Sequence, residues 1–231
     1  MESEAAKPKT SAKASQTFSA YLSGIFGWMF AGLTVSGIIG YLISNSGDAV
    51  QALFLNPATF IIVIILQFAL VIFLSARITK LSANAARAAF MAYAVTIGVT
   101  LSAIFLAYTS TSIMRVFFIT GSMFLIMAII GYLTKIDLSK FGIILLMGLF
   151  GIIIATVVNI FLQSNTLQLA VSYIGVVIFL GLTAYDIQKI KKIYAQFGSA
   201  GNMAILGALS LYLDFLNLFL FLLRIFGAGR D

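Results

Sequence analysis

Two aspartates carry the chemical interest of this 231-residue chain. Asp214 lies in the middle of LSLYLDFLNLFLFLLR, a stretch otherwise built of Leu and Phe. A carboxylate at membrane depth is costly and by default marks a working site. Ser210 and Asn217 stand four residues before and three after it, so the three share one helix face as a supporting polar stripe. Gly207 and Arg224 lie near the same stripe. The structural alternative is a hydrogen-bond network with no further task. Asp186 closes an apolar run in FLGLTAYDIQKIKKIY, where it could instead be a solvated partner of the nearby Lys189. Two carboxylates brought together in a dry site share one proton and so sense pH. With both ionised they offer hard oxygen ligands suited to Ca²⁺. The same geometry could also hold a catalytic water.

Other chemistries are closed off. The chain contains no Cys and no His, which removes disulfides, thiolate nucleophiles, Cys/His zinc sites and haem on those ligands. It also removes a Ser-His hydrolase, and no cofactor is required. Arg77 ends the second apolar run, where a guanidinium could latch onto the aspartate pair or could serve only as a snorkelling end residue. Gln67, Asn159 and Gln163 are polar groups at membrane depth, expected to make interhelical hydrogen bonds. Tyr93, Thr96 and Thr100 share one face of the third run.

The elements that must position these groups are transmembrane helices. The chain is 61% hydrophobic and 9% charged, where a soluble domain is roughly a quarter charged. Its apolar residues come in runs of bilayer-spanning length. Seven spans are predicted near 20–44, 57–76, 88–108, 113–134, 141–163, 167–187 and 203–226. The fold class is therefore an all-α membrane protein, a seven-transmembrane-helix bundle over 18–231 behind a disordered cytoplasmic tail at 1–17. Glu2 and Glu4 argue against a mitochondrial presequence, and the first run lacks a cleavage site, so it reads as a retained helix. Pro57 opens the second span, where its missing N–H costs nothing. Gly32, Ser36 and Gly40, and again Ser23, Gly27 and Ala31, repeat small residues at every fourth position for close helix packing.

Eleven of the 14 Lys and Arg residues fall before span one or in the loops after spans two, four and six. Only Arg115, Arg224 and Arg230 lie on the other side. The positive-inside rule then puts the N-terminus in the cytoplasm and the C-terminus outside, with the last crossing the least secured by charge. The net charge of +7 is explained by these flanking loops, so nucleic acid is not an expected partner. Spans six and seven are antiparallel neighbours across a short loop, which would bring Asp186 and Asp214 together near the cytoplasmic end.

GLTAYDIQKIKKIY and ALSLYLDFLNLFLFLLRIFG resemble the transmembrane Bax inhibitor motif family, and AYAVTIGVTLSAIFLAYT and GYLTKIDLSKFG resemble its bacterial members. The resemblance covers nearly the whole chain. It implies a central seventh helix wrapped by six others and a pH-regulated Ca²⁺ leak. It places the family's pH-sensing aspartate pair on Asp186 and Asp214, and the latch arginine of some members on Arg77. Some members carry Glu in helix two. Gln67 is the nearest residue here and would bind a cation more weakly. The resemblance also implies a bacterial plasma membrane and, for some bacterial members, a membrane-bound ATP-dependent protease as partner. The leading expectation is a Ca²⁺ leak channel closed when Asp186 and Asp214 share a proton. The alternative is a regulatory protein that binds such a protease without ion flux. An intramembrane aspartyl protease would need a Gly-x-Gly-Asp setting and a Pro-Ala-Leu element. Asp214 follows Leu-Tyr-Leu, and the prolines are only Pro8 and Pro57. A retinal protein would need a Lys in the last span, and residues 203–226 contain none.

Overall fold

Long apolar runs free of interior proline leave the backbone one way to satisfy its own polar groups in lipid, which is helix. The computed structural model describes residues 17–54 and 57–230. The expected tail at 1–17 lies outside the described residues except for Thr17. The Thr17 hydroxyl caps α1 by accepting the Ala20 N–H at 3.3 Å. The helices are α1 (Phe18–Ser44), α2 (Gly47–Phe54), α3 (Pro57–Arg77), α4 (Ala83–Ala107), α5 (Ser110–Leu133), α6 (Ser139–Leu162), α7 (Asn165–Phe197) and α8 (Gly201–Phe226). Seven of them are long and apolar enough to cross a membrane. The eighth, α2, is a short helix in the first loop that hydropathy did not single out. Ser82, Thr109 and Ser164 cap α4, α5 and α7 through their side chains.

The expected central helix is α8. In its apolar stretch 72% of residues are buried, against 6% for α3 and 11% for α6. The wrapping is less uniform than six around one. Helices α1, α4, α5 and α7 form the wall around α8, while α3 packs mainly on α4 and α6 on α7. Two outer helices that each lean on one neighbour leave one face of α8 thinly covered, and the candidate site lies there.

Close packing follows the small residues, though only one of the two predicted stripes. A methyl group on Gly32 would sit 2.7 Å from the Phe90 ring, and one on Gly40 would sit 3.1 Å from the Gly98 carbonyl. The Ser36 hydroxyl between them lies 2.7 Å from the Ala94 carbonyl oxygen of α4 and 2.6 Å from the Tyr212 hydroxyl of α8. Three helices therefore meet at one buried serine. The second stripe is not an interface among the described residues, since Ser23 and Gly27 are exposed and nothing described stands within 4 Å of a methyl at Gly27. Spacing alone gave both stripes equal weight. The larger apolar residues decide, because Ile25, Met29 and Leu33 turn inward and carry Gly32 with them.

Helix α8 crosses the bundle from end to end. At its start the Asn202 side-chain amide donates to the Ile78 carbonyl in the α3–α4 turn. At its end the Thr109 N–H donates to the Ala228 carbonyl, and the Arg230 N–H donates to the Ala107 carbonyl. Helix α8 thus runs the full length of the bundle and is long and apolar enough to cross a membrane. The end holding the α3–α4, α5–α6 and α7–α8 turns carries most of the Lys and Arg and is called the basic end here.

Candidate functional site

Helix α7 is longer than the sequence suggested. It runs 33 residues to Phe197, ten beyond the predicted end of span six. The extra turns stand outside the apolar core, where Gln188 and Lys192 hold the α5–α6 loop. Gln188 accepts the Leu138 N–H at 3.0 Å and donates to the Ile136 carbonyl at 2.8 Å. Lys192 pairs with Asp137 at 3.0 Å. Asp137 is exposed, and its hydrogen bond to Lys192, then those to the Ser139 backbone and hydroxyl, lower its pKa to about 2. Gly198 turns the chain at φ +63°, a left-handed conformation that favours glycine, and α8 returns from Gly201.

This register sets the depth of both aspartates. At ~1.5 Å per residue, Asp186 lies ~16 Å from the end of α7 and Asp214 ~20 Å from the start of α8. Antiparallel neighbours joined by a three-residue turn put them at similar heights. Asp186 is 9% exposed and Asp214 is 5% exposed. The interfacial reading of Asp186 as a solvated partner of Lys189 therefore gives way to a buried group, because α7 extends past the core.

Both carboxyl groups line one cavity of about 530 Å³. Its polar lining adds Ser210 and Asn217 from α8, Gln67 from α3, Tyr93 from α4 and Lys189 from α7. Ser210 reaches Asp186 across the α7–α8 interface as a hydrogen-bond donor. One carboxylate oxygen of Asp214, Oδ2, is fully buried and has no hydrogen-bond partner. Lys189 lies close enough to act electrostatically on both aspartates, while its own side chain is exposed. Tyr185 of α7 also lines it, and the rest of the wall is apolar, including Phe68, Val71, Leu146, Leu149, Ile153 and Phe179. A second cavity of about 230 Å³ shares Leu149, Ile153, Phe179 and Asn217 with the first and reaches Arg224 near the opposite end. Those four residues, three of them apolar, belong to the walls of both cavities.

The predicted residues separate into two groups. Asp186, Asp214, Ser210 and Asn217 come together as expected, although the Asn217 amide donates to its own helix at the Leu213 carbonyl, 2.8 Å away. Gln67 makes the expected interhelical bonds, donating to the Thr96 carbonyl at 2.6 Å and to the Thr100 hydroxyl at 3.2 Å. Arg77 is exposed at the end of α3 and is not among the residues lining the cavity, so this conformation does not bring it to the aspartates. Among the described residues the cation that lines the cavity with them is Lys189. Its place three residues after Asp186, on the same helix face, was the signal that could have marked it. Asn159 and Gln163 are not interhelical. Asn159 accepts the Ser164 N–H, and Gln163 ends α6 at φ 49°, so both shape the α6–α7 turn. The Ser36–Tyr212 bond was also missed. It fixes the face of α8 opposite the cavity, two residues from Asp214.

Chemically, the arrangement can hold a proton between two buried acids and can present their oxygens to a passing cation. No cluster of three or more His, Cys, Asp or Glu occurs among the described residues, so the oxygen set is thinner than a Ca²⁺ cage of six to eight ligands.

Comparison with known proteins is consistent over the whole bundle. The family model described as inhibitor of apoptosis-promoting Bax1 matches residues 18–231. The inner membrane protein YbhL of Escherichia coli is 48% identical over 215 residues, covering 91% of this chain and 92% of that protein. Uncharacterized proteins of Borreliella burgdorferi and Deinococcus radiodurans are 44% and 39% identical, each over 91% of this chain and 93% and 91% of their own lengths.

Proposed function

For a chain that belongs to the Bax inhibitor-1 family and has the seven apolar helices of a multi-pass bacterial inner-membrane protein, we propose a pH-sensitive Ca²⁺ leak gated by Asp186 and Asp214. The observation that carries the reading is the pair itself: two buried acids from adjacent antiparallel helices line one cavity, and Asp214 Oδ2 is buried without a hydrogen-bond partner among the described residues. The basic end faces the cytoplasm by the positive-inside rule, with the C-terminus outside. On this reading ions reach the aspartates past Lys189 and leave toward Arg224 through an apolar neck formed by the residues shared by the two cavities, Phe179 and Asn217 among them.

A shared proton removes the repulsion between Asp186 and Asp214 and lets α7 and α8 close on each other. Loss of that proton leaves two like charges in one cavity. Their repulsion favours a wider α7–α8 interface, and their oxygens then attract a divalent cation. The apolar neck holds the resting barrier, because a narrow apolar constriction is poorly wetted. The reaction is passage of an ion, with no bond made or broken in a substrate, and the protein is read as non-enzymatic with no cofactor.

The test is Ca²⁺ flux into liposomes holding the pure protein, between about pH 6 and pH 8, for the native chain and Asp214→Asn. A leak that rises with pH and loses its pH response in Asp214→Asn supports the gate. Absence of flux above empty liposomes at every pH overturns the channel. It would turn attention to a regulatory role in which the pair switches binding to a membrane-bound ATP-dependent protease.

A further inference from the structure

The aspartate cavity is larger and more apolar than an ion requires. Its ~530 Å³ falls in the range of small-molecule pockets, about 300–1,000 Å³, and its walls are largely carbon. It is also covered on the lipid side by α3 and α6, the two helices least buried in the bundle, which pack on different neighbours. Phe68 on α3 and Leu146 on α6 stand on the two sides of this gap, and both are exposed to the surroundings of the bundle while lining the cavity. A molecule dissolved in the bilayer can therefore approach the aspartates sideways, without crossing the polar mouth at Lys189.

The charge inside fits one kind of head group. When both carboxylates are ionised, they and one ammonium leave a net charge of −1 in the cavity. Asp214 contributes a buried oxygen with no hydrogen-bond partner among the described residues, a state that rotation of the carboxyl toward an incoming donor would relieve. We propose that this cavity binds an amphiphilic monoamine from the membrane. Its ammonium pairs with Asp214 and Asp186, and its alkyl body lies along Phe68, Leu146, Leu149 and Ile153 in the gap between α3 and α6. An alcohol of the same chain length lacks the charge, a fatty acid carries the wrong one, and a small divalent ion leaves the apolar volume unfilled. The proposal uses the same two carboxylates as the leak reading but does not depend on ion flux.

Equilibrium binding of radiolabelled dodecylamine to the purified protein in a neutral maltoside detergent tests it. Three chains are compared: native, Asp214→Asn, and Leu146→Trp, which narrows the gap from a position already exposed to the detergent. The expected result is saturable binding of one amine per native chain. Asp214→Asn should weaken it by about tenfold or more, the size of a charge-assisted hydrogen bond lost in a buried site. Leu146→Trp should weaken it with both aspartates intact, and unlabelled dodecanol and dodecanoate should not compete. Equal binding by all three chains, or equal competition by dodecanol, would mean partition into the micelle and would overturn the proposal. If Asp214→Asn does not fold, unchanged binding by folded Leu146→Trp overturns it alone. Amine binding without Ca²⁺ flux keeps this inference and removes the leak. Flux without specific amine binding does the reverse.

Discussion

Replacing Lys189 with Gln removes the one cation among the described residues that lines the aspartate cavity and should raise Ca²⁺ leak more than leak of a monovalent ion. The native cavity holds two carboxylates against one ammonium, so the substitution changes its net charge from −1 to −2 when both acids are ionised. Lys189 is exposed, so water screens it and the high-dielectric limit applies. At ~6 Å in water a unit charge repels a monovalent cation by about 0.7 kcal/mol and a divalent one by about 1.4 kcal/mol. Removing it should raise Ca²⁺ occupancy by roughly tenfold and that of Na⁺ by roughly threefold, a gain of about threefold in preference for the divalent ion. Paired Ca²⁺ and Na⁺ flux measurements in liposomes at low salt and fixed alkaline pH read both quantities. The gain should shrink as salt is added, because the mouth of the cavity is screened. An unchanged Ca²⁺-to-Na⁺ ratio would show that the permeating ion does not pass Lys189 and would refute the proposed route.

Other expectations follow from single contacts. Ser36→Ala should cost more stability than Tyr212→Phe. The first leaves a buried tyrosine hydroxyl unpaired, at about 1–3 kcal/mol, while the second leaves Ser36 with the Ala94 carbonyl and costs about 0.5–1.5 kcal/mol. Unfolding of both single variants and the double variant should show costs well below additive, and full additivity would argue against the bond. Gly131→Ala should destabilise by about 1–3 kcal/mol, because the new methyl meets the Ala184 backbone, two residues before Asp186. Gly151→Ala meets nothing within 4 Å and should be neutral or slightly stabilising, so equal unfolding midpoints for the two variants would contradict the packing described. Asp137 is held below its ordinary 3.8, at about 2, first by its hydrogen bond to Lys192, so its contribution is complete above 3.8 and is lost as pH falls through about 2. It stays ionised near neutral pH, and Asp137→Asn should leave the pH midpoint of the leak unmoved. A shifted midpoint would place part of the sensor in the α5–α6 loop.

The seven crossings, the basic end and the two aspartates were legible from the sequence because each depends on local chemistry. A run of apolar residues must be helix in lipid, cations collect on one side, and an acid amid Leu and Phe stands out whatever surrounds it. Ser210 and Asn217 were legible for the same reason, since helix spacing puts them on the face of Asp214. What the sequence left open depended on partners distant in the chain. Hydropathy ends span six near residue 187, but Gln188 and Lys192 find partners in the α5–α6 loop, so α7 continues and Asp186 becomes buried. Arg77 and Lys189 were both cations within plausible reach. Packing on α4 leaves Arg77 outside, while its place on α7 brings Lys189 to the cavity mouth. The two small-residue stripes of α1 looked alike, and only the bulk of Ile25, Met29 and Leu33 turned one of them inward. The open face of α8 is a tertiary property too. It exists because α3 and α6 each lean on a single neighbour, and the pattern of one helix carries no information about a gap between two others.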